Sequence, residues 1–371
     1  MKKKDVVIIG GGASGVALAI NLKKENPHLK VTILEQNDKI LKKVLKTGNG
    51  KCNISNYNIN NEYYNDFSFF EKWVSLFDIE KYFKDLGILV KKDNVGRFYP
   101  YSESASSVVD ILRENLEKLD VEVVTDFFVE KVEKKDKFYI YGKDVFQADF
   151  LVLATGSYAQ SKTNGYDLAK SFNHKITNLT PGLTPIKVEE KIKSLQGIRV
   201  KCKAQVNDFE RSGEILFKED ALSGILALEL SRHVKENDVI KLDLVPSLDK
   251  NELFEFLNDK DLSVALNGVL PKMVGQFILK KSDSLEEVIE NIKECKFVVK
   301  ELYGYNYSQI ICGGVSLKDI KDSFESRKVE GLYIVGELLN IDGDCGGYNL
   351  YFAWLSAYIA SQSICKSLFT K

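Results

Sequence analysis

One short stretch near the N-terminus constrains the fold more than any other. Residues 5–9, DVVII, form an apolar run rich in β-branched side chains, and the turn GGGASG at residues 10–15 follows it directly. The next stretch, VALAINLKKEN, has the periodicity of a helix, and KVTILEQ then predicts a second strand that ends at Glu35. Together these segments predict a βαβ unit, which is typical of α/β folds with a parallel sheet.

The glycine spacing in this turn indicates a phosphate-binding loop. Gly10, Gly12 and Gly15 stand at the spacing that permits a tight turn, close backbone approach and helix packing. The helix start at Ala13 and Ser14 offers unpaired N–H groups and a partial positive charge. A pyrophosphate is therefore the expected ligand at this helix end.

The end of the second predicted strand carries the candidate ribose contacts, Glu35 and its neighbour Gln36. A carboxylate in this place accepts hydrogen bonds from an adenosine ribose and disfavours a 2′-phosphate. The pattern favours FAD or NAD over NADP. A glycine turn in an α/β fold that binds no nucleotide is the alternative.

Length and composition limit the classes of protein that this chain fits. Its 371 residues are 44% hydrophobic and 28% charged, with a formal net charge of −1. Such a chain can bury a large core, and it has no global basic field for nucleic acid or anionic membranes. Its apolar runs are shorter than a membrane span. We therefore expect a cytoplasmic protein without a nucleic-acid or membrane partner, and the sequence leaves the oligomeric state open.

Cysteine and histidine usage argues against metal and disulfide chemistry. The six cysteines lie far apart, without a C-x-x-C or C-x4-C pair, and the three histidines lack the spacing of metal ligands. We expect reduced, mostly structural thiols and no metal site.

The kind of secondary structure that the sequence predicts changes twice along the chain, which indicates an inserted domain. ADFLVLATGS and GLYIVGELL are buried strands of the N-terminal kind, whereas residues 184–304 contain strands such as GIRVKCKAQVND and helical stretches over about 249–295. We expect a nucleotide-binding domain split into residues 1–183 and 305–371, with the second domain inserted between its parts.

Within the first part, helical periodicity predicts helices over 68–86 and 103–118. The alternation in VEVVTDFFVEKV predicts β-ribbons. Val129 would then meet the adenine through its backbone, because a strand edge presents N–H and C=O groups.

Two further glycine-rich segments are candidate contacts of the same ligand. The strand LVLATGS ends at Ala154, Thr155 and Gly156 and resembles the second chain passage past the cofactor in two-dinucleotide-binding flavoproteins. The segment KVLKTGNGKCNISN, residues 43–56, combines lysines that would face phosphate with glycines that allow approach to a ring. Its candidate cofactor contacts are Lys43, Gly48, Gly50, Lys51, Cys52 and Asn53. Cys52 is a candidate redox or nucleophilic thiol, against a packing role beside the ring.

The C-terminal region carries the last candidate segment. GLYIVGELLNID contains the pair Gly336-Glu337 at a strand end. A carboxylate in this position resembles the acidic residue of flavoproteins that contacts the flavin ribityl chain and the pyrophosphate region. GDCGGYNL then precedes a predicted helix, whose start would stabilise negative charge at the N1/C2=O edge of a reduced isoalloxazine. The candidate contacts here are Asp342, Gly343, Gly346, Gly347, Tyr348, Asn349 and Leu350.

These residues support a resemblance to a known family. GGGASG, TGNGKCNISN, GRFYP, ATGS, GEILF…LSG and CGGVSLKDI…ESRKVEGLYIVGELLNIDGDCGGYNLYFAW resemble, in order and over nearly the whole chain, the BaiN-type NAD(P)/FAD-dependent oxidoreductases, also called aminoacetone-oxidase-like flavoproteins. The resemblance implies an α/β fold of the two-dinucleotide-binding type. It further implies a split Rossmann-like FAD-binding domain and an inserted domain that is part β-barrel and part helical. The chain departs from the family pattern at residues 218–220 and 311–312.

The resulting functional hypothesis is an FAD-dependent oxidoreductase. Hydride would pass between flavin N5 and a small or medium-sized organic substrate, with NAD(P)H left open as a transient co-substrate, because the chain has no second G-x-G-x-x-G. An FAD-binding redox sensor or an RNA-modifying flavoprotein is the alternative. The sequence assigns no acid–base residue; Cys52 and Arg97, in GRFYP, are the candidate catalytic groups.

Overall fold

The chain folds into two compact units in a computed structural model that describes residues 1–369. Unit 1 joins Met1–Thr180 to the C-terminal segment that begins at Ile311, and unit 2 is Pro181–Ile310. Unit 2 is thus one continuous insertion into unit 1. The boundaries expected from the sequence, 183/184 and 304/305, lie a few residues from these.

The strands and helices below are numbered in chain order. The strands are β1 (Lys2–Ile9), β2 (Val31–Leu34), β3 (Ser55–Asn56), β4 (Val90–Lys92), β5 (Arg97–Pro100), β6 (Glu122–Val124), β7 (Lys131–Lys134), β8 (Phe138–Tyr141), β9 (Val145–Leu153), β10 (Thr180–Gly182), β11 (Ile186–Val188), β12 (Arg199–Val206), β13 (Phe209–Phe217), β14 (Ala221–Ser223), β15 (Val239–Asp243), β16 (Cys295–Leu302), β17 (Ile310–Cys312) and β18 (Leu332–Ile334). The α-helices are α1 (Ala13–Glu25), α2 (Glu71–Val74), α3 (Ile79–Asp85), α4 (Ala105–Lys118), α5 (Gly165–Ser171), α6 (Gly224–Leu230), α7 (Lys250–Leu257), α8 (Leu262–Ala265), α9 (Lys272–Leu279), α10 (Leu285–Lys293) and α11 (Tyr348–Phe369). Short 3₁₀ segments occur as well, and one of them, Val44–Gly50, is interrupted by a kink at Thr47–Asn49 and lies in the site described below.

Unit 1 is built on a seven-stranded sheet. The order is β6-β2-β1-β9-β8-β7, and β18 pairs with the C-terminal half of β9. β1, β2, β6, β9 and β18 are mutually parallel, whereas β7, β8 and β9 form antiparallel hairpins. Every residue of β2 and β18 is buried, as expected for parallel strands covered on both faces. The carboxyl ends of β1, β2, β9 and β18 therefore meet at one edge of the sheet, where open α/β sheets bind ligands.

Helix α1 lies between this sheet and the long C-terminal helix α11. Residues 14–23 of α1 are all buried, because α11 covers the face that the sheet does not. Trp354 of α11 is fully buried, and its indole N–H donates to Ile54 O at 3.2 Å. The packing of α11 thus ties the C-terminal segment both to the first helix and to residues 43–56.

Unit 2 is a closed six-stranded barrel with helices. The barrel order is β11-β14-β13-β12-β15-β16. In β12, RVKCKAQV, every second side chain is buried, so the alternation in its sequence matches an inward and an outward face. Helices α7–α10 follow within residues 250–293, and α7 begins with a capping box between Asp249 and Glu252. The predicted fold class, a split Rossmann-type domain with an inserted barrel and helices, is confirmed.

Two local predictions were wrong. The helix expected over 68–86 is broken into α2 and α3, because the Asp78 carboxylate accepts the Lys81 N–H and starts a new helix. Val129 lies between β6 and β7 and not on a strand edge. Within residues 1–369, the helices are too short or too polar to cross a membrane.

Candidate cofactor site

The turn between β1 and α1 is tight on one side. Gly10 has φ +110°, and a Cβ at this residue would lie 2.3 Å from Ala154 O. A Cβ on Gly15 would lie 2.0 Å from Gly10 O. The ends of β1 and β9 therefore approach as closely as their backbones allow, and Ala154 N–H donates to Ile9 O at 2.8 Å.

The same turn is open on its other side. Among residues 1–369, and apart from its chain neighbours, a Cβ on Gly12 would meet no atom within 4 Å. Gly12 is also the N-cap of α1 and makes no side-chain cap. The first-turn amides, those of Ala13, Ser14 and Gly15, have no intrahelical acceptor. This open, positively polarised helix start fits a pyrophosphate, as the glycine spacing predicts.

Glu35 lies at the end of β2 beside this turn and is 7% exposed. Its Oε2 accepts the Gly11 N–H at 2.8 Å, and its Oε1 accepts from the backbone and side-chain amides of Asn37 at 2.8 and 2.5 Å. A carboxylate has about four acceptor positions, so acceptor capacity remains for ribose hydroxyls. Glu35 thus holds the glycine loop, and its contact with a ribose stays a prediction.

Two side-chain contacts close the loop that follows β9 over the same end of the sheet. Gln36 Nε2 donates to Lys162 O at 2.5 Å, and Asn164 Nδ2 donates to Val129 O at 2.7 Å. The carbonyl of Val129 is therefore engaged by a side chain. Val129 therefore presents no strand edge here, and its contact with an adenine stays a prediction.

The C-terminal pair Gly336-Glu337 joins the first turn. A Cβ on Gly336 would lie 2.6 Å from Ser14 Oγ, at the start of α1. Glu337 accepts hydrogen bonds from Lys43 Nζ at 2.8 Å and from Ser157 Oγ at 2.6 Å. The segments that hold Ser14, Lys43, Ser157 and Glu337 therefore converge on one place.

Gly156 lies close to this network. A Cβ added there would lie 3.9 Å from Glu337 Oε2. Thr155 makes a different contact, since its side chain packs against Gly165 at the start of α5. Ser157 was missed in the sequence analysis, although its place directly after Gly156 in ATGS was the available signal.

The segment with residues 43–56 forms a bent 3₁₀ turn. Gly48 has φ +56°, and a Cβ on it would lie 2.7 Å from Asn53 N. Gly50 faces open space, since a Cβ there would meet no atom of the described chain, residues 1–369, within 4 Å beyond its chain neighbours. Lys51 points to Glu103, 2.6 Å away, and this ion pair raises the pKa of Lys51; together with Lys91 it lowers the pKa of Glu103 to about 2.

The C-terminal motif packs directly onto that segment. Gly346 O accepts from Asn56 Nδ2 at 3.0 Å. Gly347 has φ +101°, and a Cβ on it would lie 2.4 Å from Ser55 O and 2.7 Å from Asn53 Oδ1. Asn56 was missed in the sequence analysis, because the motif alone does not indicate which polar residue reaches across.

The loop before α11 is held by its own side chains and by a tyrosine pair. Asn349 Oδ1 accepts the Gly343 N–H at 2.8 Å, and Asn349 Nδ2 returns a bond to Gly343 O at 2.8 Å. Tyr64 OH donates to Tyr348 O at 2.7 Å, and the Tyr63 ring stacks on the Tyr348 ring with centroids 4.6 Å apart. The predicted contact Asn349 therefore shapes the loop.

The other predicted residues of this region have separate surroundings. Asp342 is buried, and its backbone exchanges hydrogen bonds with Asn65. Leu350 is half-buried in the first turn of α11.

Arg97, one of the two candidate catalytic groups, lies on β5 opposite Asn56 of β3. Its Nε donates to Asp93 Oδ2 at 2.8 Å, and its guanidinium lies 5.9 Å from the centre of the Tyr99 ring. Asp93 therefore compensates the charge of Arg97. The neighbouring strand β3 carries Asn56, which donates to Gly346 O.

Cys52, the other candidate, is fully buried. Burial raises the pKa of its thiol to about 11, so the thiolate needed for nucleophilic attack is scarce at neutral pH. This favours the packing role.

We expect Cys52→Ala to keep its bound flavin and its reduction rate within a few-fold of the parent. The matching measurement is thiol labelling of the folded protein at neutral pH, followed by peptide mass spectrometry. Cys312 and Cys345, which are only partly buried, should react before Cys52. If Cys52 were labelled first and the alanine variant lost flavin reduction, Cys52 would be a reactive thiol and the packing role would be wrong.

Comparison with known proteins adds independent findings. The sequence model of the family described as HI0933-like protein Rossmann domain matches residues 4–363. A 3-dehydro-bile acid delta(4,6)-reductase from Clostridium scindens is 31% identical over 96% of this chain and 98% of its own length. A ribosomal RNA dihydrouridine synthase from Haemophilus influenzae is 25% identical over 96% of this chain and 98% of its own length.

A solved structure shares the fold. The 3-ketosteroid-delta4-(5alpha)-dehydrogenase from Rhodococcus jostii RHA1 superimposes with a TM-score of 0.55 at 15% identity, covering 98% of this chain and 97% of that one. At this identity the likeness concerns the fold alone.

Proposed function

We propose, from the premise that this chain belongs to the HI0933-like Rossmann-domain family, that it reduces a carbon–carbon double bond conjugated with a carbonyl group in a small or medium-sized organic molecule. At the coarser level the chain is an FAD-dependent oxidoreductase. The observation that carries the finer proposal is the 31% identity, over 96% of the chain, to a delta(4,6)-reductase.

The names of two relatives describe related chemistry. A delta(4,6)-reductase of a 3-dehydro compound and a synthase that forms dihydrouridine both saturate a double bond conjugated with a carbonyl group. Such a reduction adds a hydride to one carbon and a proton to the other, so it consumes one two-electron reductant. We propose NADH or NADPH as that reductant, docking transiently because the chain has no second dinucleotide fingerprint.

The residues of unit 1 fit FAD as the resident cofactor. The open start of α1 would hold the pyrophosphate, Glu35 would hold the ribose, and Glu337 with Lys43 would orient the middle of the molecule. The start of α11 would hold the electron-rich edge of the ring and favour its negative charge. Bound FAD would supply hydride transfer, which amino-acid side chains do not provide.

A second candidate function is reduction of uridine in ribosomal RNA. It is favoured by the whole-length similarity to the synthase from Haemophilus influenzae and to a further one from Escherichia coli, 24% identical over 98% of each chain. The formal net charge of −1 argues against it, because RNA binding draws most of its affinity from neutralised phosphates. Both candidates share the reaction type and differ in substrate size.

Anaerobic rapid mixing tests the proposal. Purified oxidised protein is mixed with NADH or NADPH, and the visible flavin band is followed; the reduced protein is then mixed with a conjugated enone, its saturated ketone or an RNA transcript. We expect bleaching by a nicotinamide and recovery of the band with the enone alone. Recovery with RNA and none with any enone would favour the second candidate. A flavin that neither nicotinamide reduces would overturn the assigned reductant.

A further inference from the structure

The side chain of Asn53 carries a buried acceptor that no contact within the described residues satisfies. The residue is 8% exposed, and its Oδ1 has no hydrogen-bond partner among residues 1–369. Leaving a buried carbonyl unpaired is destabilising, so such atoms usually have a partner in the working state of a protein. The location of Asn53 indicates what that partner is.

Asn53 Oδ1 lies beside the start of α11. A Cβ on Gly347, the residue before the helix, would come within 2.7 Å of this oxygen. Helix α11 has 22 residues, and its first-turn amides have no intrahelical acceptor. A buried acceptor and a set of backbone donors therefore stand side by side.

The backbone holds Asn53 in this position. Cys52, the residue before it, has φ +58°, and its N–H donates to Thr47 O at 3.0 Å. A Cβ on Gly48 would lie 2.7 Å from Asn53 N, so the backbone of the turn packs directly against the asparagine. The backbone position of Asn53 is thus set by a tight turn with positive φ at Cys52 and Gly48, and Asn53 itself is buried.

We propose that Asn53 Oδ1 accepts the N3–H of the bound isoalloxazine and so sets the position of the ring. The inference rests on the proposed FAD cofactor. The pyrimidine edge of a flavin presents a carbonyl acceptor, the N3–H donor and a second carbonyl acceptor in sequence. The helix start supplies donors for the N1/C2=O end, and the adjacent Asn53 supplies the acceptor that N3–H requires. Asn53 is therefore a positioning residue for the ring.

Flavin analogues test this pairing directly. The dissociation constants of FAD and of FAD methylated at N3 are measured, by flavin fluorescence, with the deflavinated full-length chain. We expect the parent to bind 3-methyl-FAD about tenfold more weakly or worse, because the methyl group removes the donor and leaves Oδ1 unpaired. Asn53→Ala should bind the two flavins with nearly equal affinity. Asn53→Asp, whose ionised side chain only accepts, should keep the preference for FAD.

Asn58→Ala is the matched control, since Asn58 is exposed and its side chain should not affect the ratio. A parent that binds FAD and 3-methyl-FAD equally well would overturn the pairing while leaving the proposed function intact. An Asn53→Asp variant that loses FAD while Asn53→Ala keeps it would show that the amide donates, which also overturns the proposal. A parent that binds no flavin would overturn the proposed function and this inference together. The parent's own ratio decides the question if a variant fails to fold.

Discussion

Replacing Gly10 with alanine is expected to lower the free energy of unfolding of unit 1 by about 3 kcal/mol or more. The added Cβ would lie 2.3 Å from Ala154 O and 2.9 Å from Thr155 Cα, so backbone would have to move on the neighbouring strand. The φ of +110° adds strain for any residue with a side chain.

Urea denaturation followed by tryptophan fluorescence is the appropriate measurement. Both tryptophans, Trp73 and Trp354, belong to unit 1, so the signal reports this unit and not the barrel. Trp354 is fully buried beside Ile54, which makes its emission sensitive to unfolding. An unfolding midpoint equal to that of the parent would show that β1 and β9 are farther apart than described here.

Gly12→Ala is the matched control, two residues away in the same turn. Gly12 has φ −82° and ψ −168°, which alanine adopts freely, and in the part of the chain that the structure describes its Cβ would meet no atom within 4 Å beyond its chain neighbours. We expect a loss of stability of about 1 kcal/mol or less, from the poorer N-cap. FAD binding should nevertheless weaken roughly tenfold to a hundredfold, because the methyl group occupies the space in front of the helix amides. Equal loss of stability in both variants would contradict the open side of the turn.

The same turn illustrates what the sequence could predict. The glycine spacing, the apolar run before it and Glu35 after it are local features, and each reflects a local requirement of backbone or burial. The stretch GIRVKCKAQVND was likewise predicted as a strand, and it contains β12. Closure of that strand into a barrel depends on pairing between residues distant in sequence, so only the family resemblance implied it.

The errors and omissions have the same physical origin. Val129 was placed on a strand edge because FFVEKV alternates, yet Asn164, which is 35 residues away, engages its carbonyl. Asn56 was missed because its partner, Gly346, is 290 residues distant. Periodicity describes which face a residue presents, but it carries no information about which distant polar group meets it. Partners across the chain were therefore the part of the site that sequence reasoning could not supply.

Replacing Glu35 with alanine is expected to weaken FAD retention by roughly 1–3 kcal/mol, which is several-fold to about a hundredfold in the dissociation constant. Two losses contribute: the predicted bonds to the ribose, and the acceptor that holds the Gly11 N–H at 2.8 Å. The measurement is flavin content after gel filtration together with the dissociation constant of FAD.

Asn37→Ala is the control for Glu35→Ala. It shows whether a change in the loop that follows β2 is enough to weaken FAD binding when the Glu35 carboxylate is still present. Asn37 is exposed, and its Nδ2 donates to Glu35 Oε1 at 2.5 Å, so the variant removes one partner of the carboxylate and leaves the carboxylate itself. We expect its affinity for FAD to fall by about twofold at most, since one exposed hydrogen bond contributes little. If Glu35→Ala retained flavin as well as Asn37→Ala, Glu35 would be a support of the glycine loop alone, and the ribose contact would belong to another group near the end of β2.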